Sequence, residues 1–156
     1  MMKKNSGFSL LELVVVVAII AVMAAMIVPT LAQVYLSEAK HAASNIDNMI
    51  SKCKVNSMSR AGDVYVEFYN KDNRIYADYY EQDTVIYTEL IGKRTSFTWD
   101  NGTKSTELKL SFKRATGALS VFGEVDLTGR SEVNIDVGGY RITIVPLTGN
   151  HKVGAV

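Results

Sequence analysis

The spacing of hydrophobic positions along this chain changes character twice. From Phe8 to Val28 they are nearly continuous, and the 21 residues carry one charge, Glu12. A helix of that length is about 31 Å long, the thickness of a bilayer core. Val14 to Ile20 is β-branched except for Ala18, which makes a poor helix in water. Lipid forces backbone hydrogen bonds to close within the segment, so a spanning run is helical regardless. Pro29 removes the helix hydrogen bond to the Ala25 carbonyl, which predicts either a hinge or a simple boundary kink where lipid gives way to water. Beyond it the period becomes helical. Leu31, Tyr35, Ala39, Ala42, Ile46, Met49, Ile50 and Cys53 fall within about 60° of Ile46 on a helical wheel. Lys40, Ser44, Asp47, Asn48, Ser51 and Lys54 fall opposite. Residues 30 to about 59 therefore read as an amphipathic helix whose stripe needs a partner. Arg60-Ala61-Gly62 ends it, with Gly62 as C′ residue.

From residue 62 to 156 the period drops to two. Val64, Val66 and Phe68 alternate with Tyr65, Glu67 and Tyr69. Asn70-Lys71-Asp72-Asn73 reads as a turn, Arg74 to Tyr80 as the return strand and Thr84 to Ile91 as another. Arg94 to Trp99 leads into Asp100-Asn101-Gly102, a hairpin signal, with Leu108, Leu110 and Phe112 alternating on the far side. Asn101-Gly102-Thr103 also fits a glycosylation pattern, but the turn is the preferred reading. Val133, Ile135 and Val137, then Gly138-Gly139, then Tyr140, Ile142 and Ile144 predict a second hairpin. Short connections imply antiparallel meanders. The fold class is α+β: one long N-terminal helix packed on one or two antiparallel sheets.

Hydrophobic content is 47%, with much of it in residues 8–36, which leaves an ordinary soluble domain of roughly 100 residues. Net charge is +1. Loss of residues 1–7, with Lys3 and Lys4, leaves 15 basic against 16 acidic residues, not the field of a general polyanion binder. Cys53 is the one cysteine, so no intrachain disulfide forms, and it reads as a small buried residue. No metal-ligand spacing, nucleophile elbow or phosphate loop is present, so no cofactor, metal or enzymatic activity is expected. Glu67, Asp78, Glu81 and Asp83 read as edge-strand or loop charges. Tyr65, Tyr69, Tyr76, Tyr79, Tyr80 and Tyr87 read as half-buried sheet residues or a sticky surface.

The N-terminus admits three readings. A secretory signal has an apolar stretch of ~7–15 residues, shorter than this one; the small residues of Thr30-Leu31-Ala32 keep it open. A plain signal anchor is the second. Neither accounts for Glu12, since an uncompensated charge in a membrane helix costs on the order of 2.5–3.5 kcal/mol or more. Lys3 and Lys4 mark the upstream side as cytoplasmic. The third reading rests on Lys3-Lys4-Asn5-Ser6-Gly7-Phe8-Ser9-Leu10-Leu11-Glu12, which resembles the prepilin cleavage site of type IV pilins and type II secretion pseudopilins. The resemblance covers residues 3–40. It implies a leader, 1–7, cut between Gly7 and Phe8 by a membrane prepilin peptidase and N-methylation of Phe8. It makes Glu12 the fifth residue of the mature chain. Pro29 stands at mature position 22, where the family has proline. It also implies a filament-core and membrane half of the helix, 8–28, an amphipathic half, 29–61, and a type IV pilin-like β-domain, 62–156. The implied partners are other pilin or pseudopilin subunits, the peptidase and the inner-membrane assembly platform. The implied location is a single-pass inner-membrane precursor, later a filament in the periplasm or at the cell surface.

Cleavage exposes a positive amine at Phe8, one turn from Glu12 and within reach of a neighbour's Glu12. Two charges in apolar surroundings are tolerable when paired. The carboxylate then sets axial register, as a lone polar residue does in a coiled coil.

Phe112-Lys113-Arg114-Ala115-Thr116-Gly117, Tyr140-Arg141-Ile142-Thr143-Ile144 and Thr148-Gly149 are similar to H-type minor pseudopilins and related minor pilins. No carboxylate follows Asp136, so the calcium site of major G-type pseudopilins is not expected. Some minor pilins bind DNA through a basic C-terminal tail. Asn150, His151 and Lys152 stand at the corresponding place; Lys152 and Arg141 are the candidates to touch phosphate, but one or two cations contribute little at physiological salt, and a solvated tail is the expected state. The rival class is a membrane-anchored or secreted binding module that does not polymerise, a DNA-binding minor pilin included.

Overall fold

The computed structural model describes residues 9–100, 102–105 and 107–156, and among these no side chain of residues 26–32. A single helix, α1, spans Leu10–Ser59. Two compact units divide the chain, Met1–Val34 and Tyr35–Val156.

In the first unit every described side chain from Leu10 to Ala25 is exposed, from Leu10 at 83% to Val16 at 46% among the large apolar residues. Among the described residues no helix is long and apolar enough to cross a membrane.

In the second unit α1 buries the stripe its sequence predicts. Ala39, Ala42, Ala43, Ile46, Met49, Ile50 and Cys53 are buried. Tyr35, placed on the stripe by its spacing, is instead 56% exposed, because the domain's cover begins only at Ala39. Leu31 lies outside the described side chains. The helix stops at Ser59 with the Arg60 amide bonded to the Asn56 carbonyl. Gly62, φ +121°, comes after the stop rather than forming its cap.

Nine strands follow: β1 Val64–Lys71, β2 Arg74–Glu81, β3 Thr84–Lys93, β4 Phe97–Trp99, β5 Leu108–Phe112, β6 Leu119–Phe122, β7 Val133–Val137, β8 Tyr140–Val145 and β9 Asn150–Ala155. They form two antiparallel sheets, ordered β3-β2-β1-β5-β6 and β4-β7-β8-β9. Three hairpins turn on two residues with positive φ: Asp72-Asn73, Gln82-Asp83 and Gly138-Gly139. That geometry matches the right-handed twist of paired strands.

Two expectations need correction. The Asp100–Gly102 turn does not join two long strands. Trp99 and Lys104 exchange backbone hydrogen bonds of 2.8 and 3.1 Å, and the pairing stops there. Phe97 and Trp99 then belong to the second sheet, and Leu108–Phe112 to the first. Packing decides this: Phe97 meets Phe68 edge-on at 6.3 Å, and Trp99 meets Phe122 at 5.7 Å, so the aromatic residues of β4 seal the seam between the sheets. Asn101 itself lies outside the described residues. The second correction is the C-terminus, which is the strand β9 rather than a solvated tail.

α1 holds the sheets together. Asn45 donates its side-chain amide to the Ile91 carbonyl of β3 at 2.9 Å. Lys54 donates to the Thr148 carbonyl beside β9 at 3.0 Å. Where the second unit's part of the helix begins, it lies close against two glycines of the strands. A Cβ added at Gly138 would lie 2.6 Å from the Ala39 Cβ, and one at Gly92 would lie 2.7 Å from the Ala42 Cβ. Gly138 also has φ +51°, whereas its neighbour Gly139, φ +91°, faces open space. Cys53 packs in the centre of the interface, its Sγ 3.8 Å from the Leu110 carbonyl. Burial pushes its thiol from 9.0 up to about 12.

Gly138→Ala should therefore destabilise the second unit by about 2–4 kcal/mol, from a strained φ plus overpacking. Gly139→Ala meets only the strain and should cost about 1–2 kcal/mol. Denaturant titration of the full chain in detergent, followed by fluorescence of the buried Trp99, measures both. The raised thiol pKa carries a sign. Between pH 9 and 12 the unfolded thiol ionises while the folded one does not, so stability falls as pH rises through that window. Between pH 8 and pH 10 the thiol accounts for a loss of about 1.4 kcal/mol, and Cys53→Ala should shrink the pH-dependent loss by that amount, the buried tyrosines supplying the rest.

Candidate functional site

The first helical turn begins at Ser9. Its Oγ accepts the Glu12 amide at 3.2 Å, and its carbonyl accepts the Leu13 amide at 3.2 Å. Ser9-Leu10-Leu11-Glu12 thus has the spacing of a helix capping box, with serine at N-cap and glutamate at N3. The signal for this cap is the serine–glutamate spacing itself, legible in the sequence. The site residue Glu12 sits in the first turn of α1, exposed, where a carboxylate favours the positive end of the helix dipole. Gly7 and Phe8 lie outside the described residues. Pro29 falls within α1, and the helix is assigned through it. Its side chain is outside the described set.

The two residues considered for nucleic-acid contact occupy neighbouring strands, Arg141 on β8 and Lys152 on β9. Arg141 is committed to its cross-strand partner. Its Nε donates to Asp136 Oδ1 at 2.6 Å and its Nη2 to Asp136 Oδ2 at 3.2 Å. The pairing holds the guanidinium charged, its pKa raised by the hydrogen bond and then by the carboxylate's charge. A phosphate at Arg141 would have to compete with that fork. Lys152 is exposed.

His151, which has no ligand spacing in the sequence, meets α1. Its Nε2 lies 2.9 Å from Ser51 Oγ and 3.6 Å from Asp47 Oδ1, and its Nδ1 lies 3.2 Å from the Gly149 carbonyl. Serine, histidine and aspartate therefore converge, but serine and aspartate share one ring nitrogen. A nucleophile–base–orienter relay needs them on opposite nitrogens, so the cluster is a docking contact between β9 and α1.

The tyrosines divide between the two faces of the first sheet. Tyr79 and Tyr87 stack at 5.1 Å on the helix side, where Tyr79 accepts a 2.6 Å hydrogen bond from Asn56. On the outer face Tyr65 stacks on Tyr80 at 4.5 Å and Tyr69 on Tyr76 at 5.6 Å, with Glu67 opposite Asp78 between the two pairs. Lys109 Nζ lies 3.6 Å from the Tyr65 ring centroid. Desolvation, then a hydrogen bond to Asp83, pushes Tyr65 up to about 12. Tyr69 and Tyr80 are also raised, first by desolvation and then by Asp78 and Glu67 respectively. Glu67 and Asp78 are thus on inner strands, not on the edge or loop position their sequence suggested. The alternation that marks β1 and β2 carries no information about which strand ends up central.

Among the described residues no group of three or more histidine, cysteine, aspartate or glutamate side chains is placed to hold a metal. No curated protein and no solved structure matches the chain. The family model described as the prokaryotic N-terminal methylation motif matches residues 2–28. Residues 2–28, with Lys3, Lys4 and Glu12 among them, carry the methylation motif characteristic of type IV pilins and pseudopilins.

Proposed function

We propose that the protein is a structural subunit, a minor pilin or pseudopilin, of a type IV pilus or type II secretion pseudopilus. A prepilin peptidase cleaves it between Gly7 and Phe8 and the new Phe8 amine is methylated. The subunit waits in the inner membrane on the Phe8–Val28 run and is then drawn by the assembly platform into a helical filament. The observation that carries this reading is the methylation motif over residues 2–28, within which a helix surface of leucine, valine and isoleucine is left exposed from Leu10 to Ala25. A water-soluble monomer rarely exposes so large an apolar patch, and lipid first and neighbouring helices later are the two environments that cover it.

Cleavage places a cationic amine beside the positive end of the helix dipole, an unfavourable pairing. Glu12 offsets it, in its own chain or in the next. In the apolar centre of a filament an amine and a carboxylate are retained only as a pair, so one axial register is selected. Pro29 is the natural place for the helix to yield as the subunit leaves the membrane. The fork from Arg141 to Asp136 speaks against a DNA receptor built on Arg141 and Lys152.

Co-expression with a prepilin peptidase and a pilus or pseudopilus machine tests the reading. Mass spectrometry should find N-methylphenylalanine at Phe8. Glu12→Ala should be inserted and cleaved like the parent, yet its incorporation into sheared filaments should fall by about tenfold or more. Cleavage elsewhere, or normal incorporation of the alanine variant, would contradict the proposal.

A further inference from the structure

The exposed cations of the second unit are unevenly partnered. Arg60 pairs with Glu81, Arg130 with Asp100 and Arg141 with Asp136. Lys71, Arg74, Lys93 and Arg94 are all exposed, and none takes part in an ion pair among the described residues. The sheet register gathers these four. Lys71 faces Arg74 across the β1–β2 turn, Arg74 faces Lys93 across β2 and β3, and Arg94 follows. Arg74, Lys93 and Arg94 line one shallow recess with Glu38, Asp72 and Asn73. Glu38 and Asp72 are the opposing charges there, which leaves an excess of one cation, and Lys71 stands beside it on the rim of a second recess that Glu107 and Glu124 also line.

This rim has a definite place in the unit. Gly92, beside Lys93, approaches Ala42, and Glu38 lies in the recess itself. The cations therefore cluster where α1 begins its run through the second unit, at Tyr35. Glu38 stands ten residues along the sequence from Val28, the end of the apolar run. Arg94 sits at φ +53°, a conformation costly for a side-chain-bearing residue and easy for glycine.

We infer that this rim docks on anionic phospholipid headgroups and holds the β-domain against the membrane surface before extraction. The inference rests on the membrane-inserted precursor proposed above. Each cation near an anionic surface is worth about fivefold in binding, so an excess of one gives roughly fivefold. That is too weak to recruit a free domain. It is enough for one whose tether already fixes a high local concentration. Extraction into a filament then breaks a salt-sensitive contact as well as removing a helix from lipid.

The test uses the full chain reconstituted into vesicles, with a fluorophore on Ser96→Cys, an exposed position beside the rim. Cys53 is fully buried and does not compete for the label. Spin-labelled headgroups report proximity. Quenching should be several-fold stronger in phosphatidylglycerol-rich vesicles than in phosphatidylcholine. High salt should abolish the difference, as should R74Q/K93Q/R94G, in which the glycine suits the backbone at 94. Equal quenching in both lipids, with the chain retained through carbonate extraction, overturns the rim alone. Release of the chain by carbonate overturns the membrane reading with it. Displacement of the fluorophore from anionic vesicles by duplex DNA assigns the rim to nucleic acid and overturns the lipid assignment.

Discussion

Close approach between the α1 backbone and two different sheets is the constraint on which the second unit depends. Ala39 against Gly138 and Ala42 against Gly92 let the helix lie almost on the strand ends. Larger residues then fill the widening space toward Cys53, Leu110 and Tyr79. Neither sheet has a complete core without the helix. The five-stranded sheet turns Val66, Phe68, Ile75 and Ala77 inward, and the four-stranded sheet turns Val133, Ile135, Ile142 and Ile144 inward. The Phe68–Phe97 and Trp99–Phe122 contacts close the remaining seam. The polar ties from Asn45, Ser51 and Lys54 sit around this apolar contact and fix its register more than its strength.

The first half of the same helix obeys the opposite logic. Its described side chains from Leu10 to Ala25 are exposed, and its one charge stands in the first turn, where the helix dipole and the Ser9 cap favour it. One continuous secondary-structure element therefore carries a stripe that is satisfied internally and a surface that is left for other molecules. Glu12 is the one charge on that surface. It makes a purely apolar environment unfavourable unless a cation arrives with it.

Much of this was legible in the sequence. The change from continuous to 3.6-residue to two-residue spacing gave the helix, its stripe and the hairpins at Asp72-Asn73 and Gly138-Gly139. What escaped had a tertiary cause. Asn101-Gly102 carries a strong local turn signal, yet Phe97 and Leu108 separate into different sheets because aromatic packing against Phe68 and Phe122 outweighs continuation of the hairpin. β9 escaped because Asn150, His151, Lys152 and Gly154 have little strand character. Pairing with β8 and the contacts of His151 and Lys54 with the opposite element order it. Tyr35 has the right angle on a wheel but lies before the point where the sheets begin. The candidate site was legible as a motif, since the order of Lys3, Lys4, Gly7, Phe8 and Glu12 is local. The capping geometry around Glu12 needed coordinates.

The path of the last strand has a practical consequence. The Val156 amide bonds to the Gly139 carbonyl, so the chain leaves β9 beside the very turn that presses on Ala39. A reporter or affinity sequence fused there would emerge next to the tightest helix contact and near the cationic rim. The Asp126–Arg130 loop is a better place for an epitope. Its Gly129 faces open space and its neighbours are exposed, so an insertion there would label the subunit without loading the face through which α1 holds the domain together.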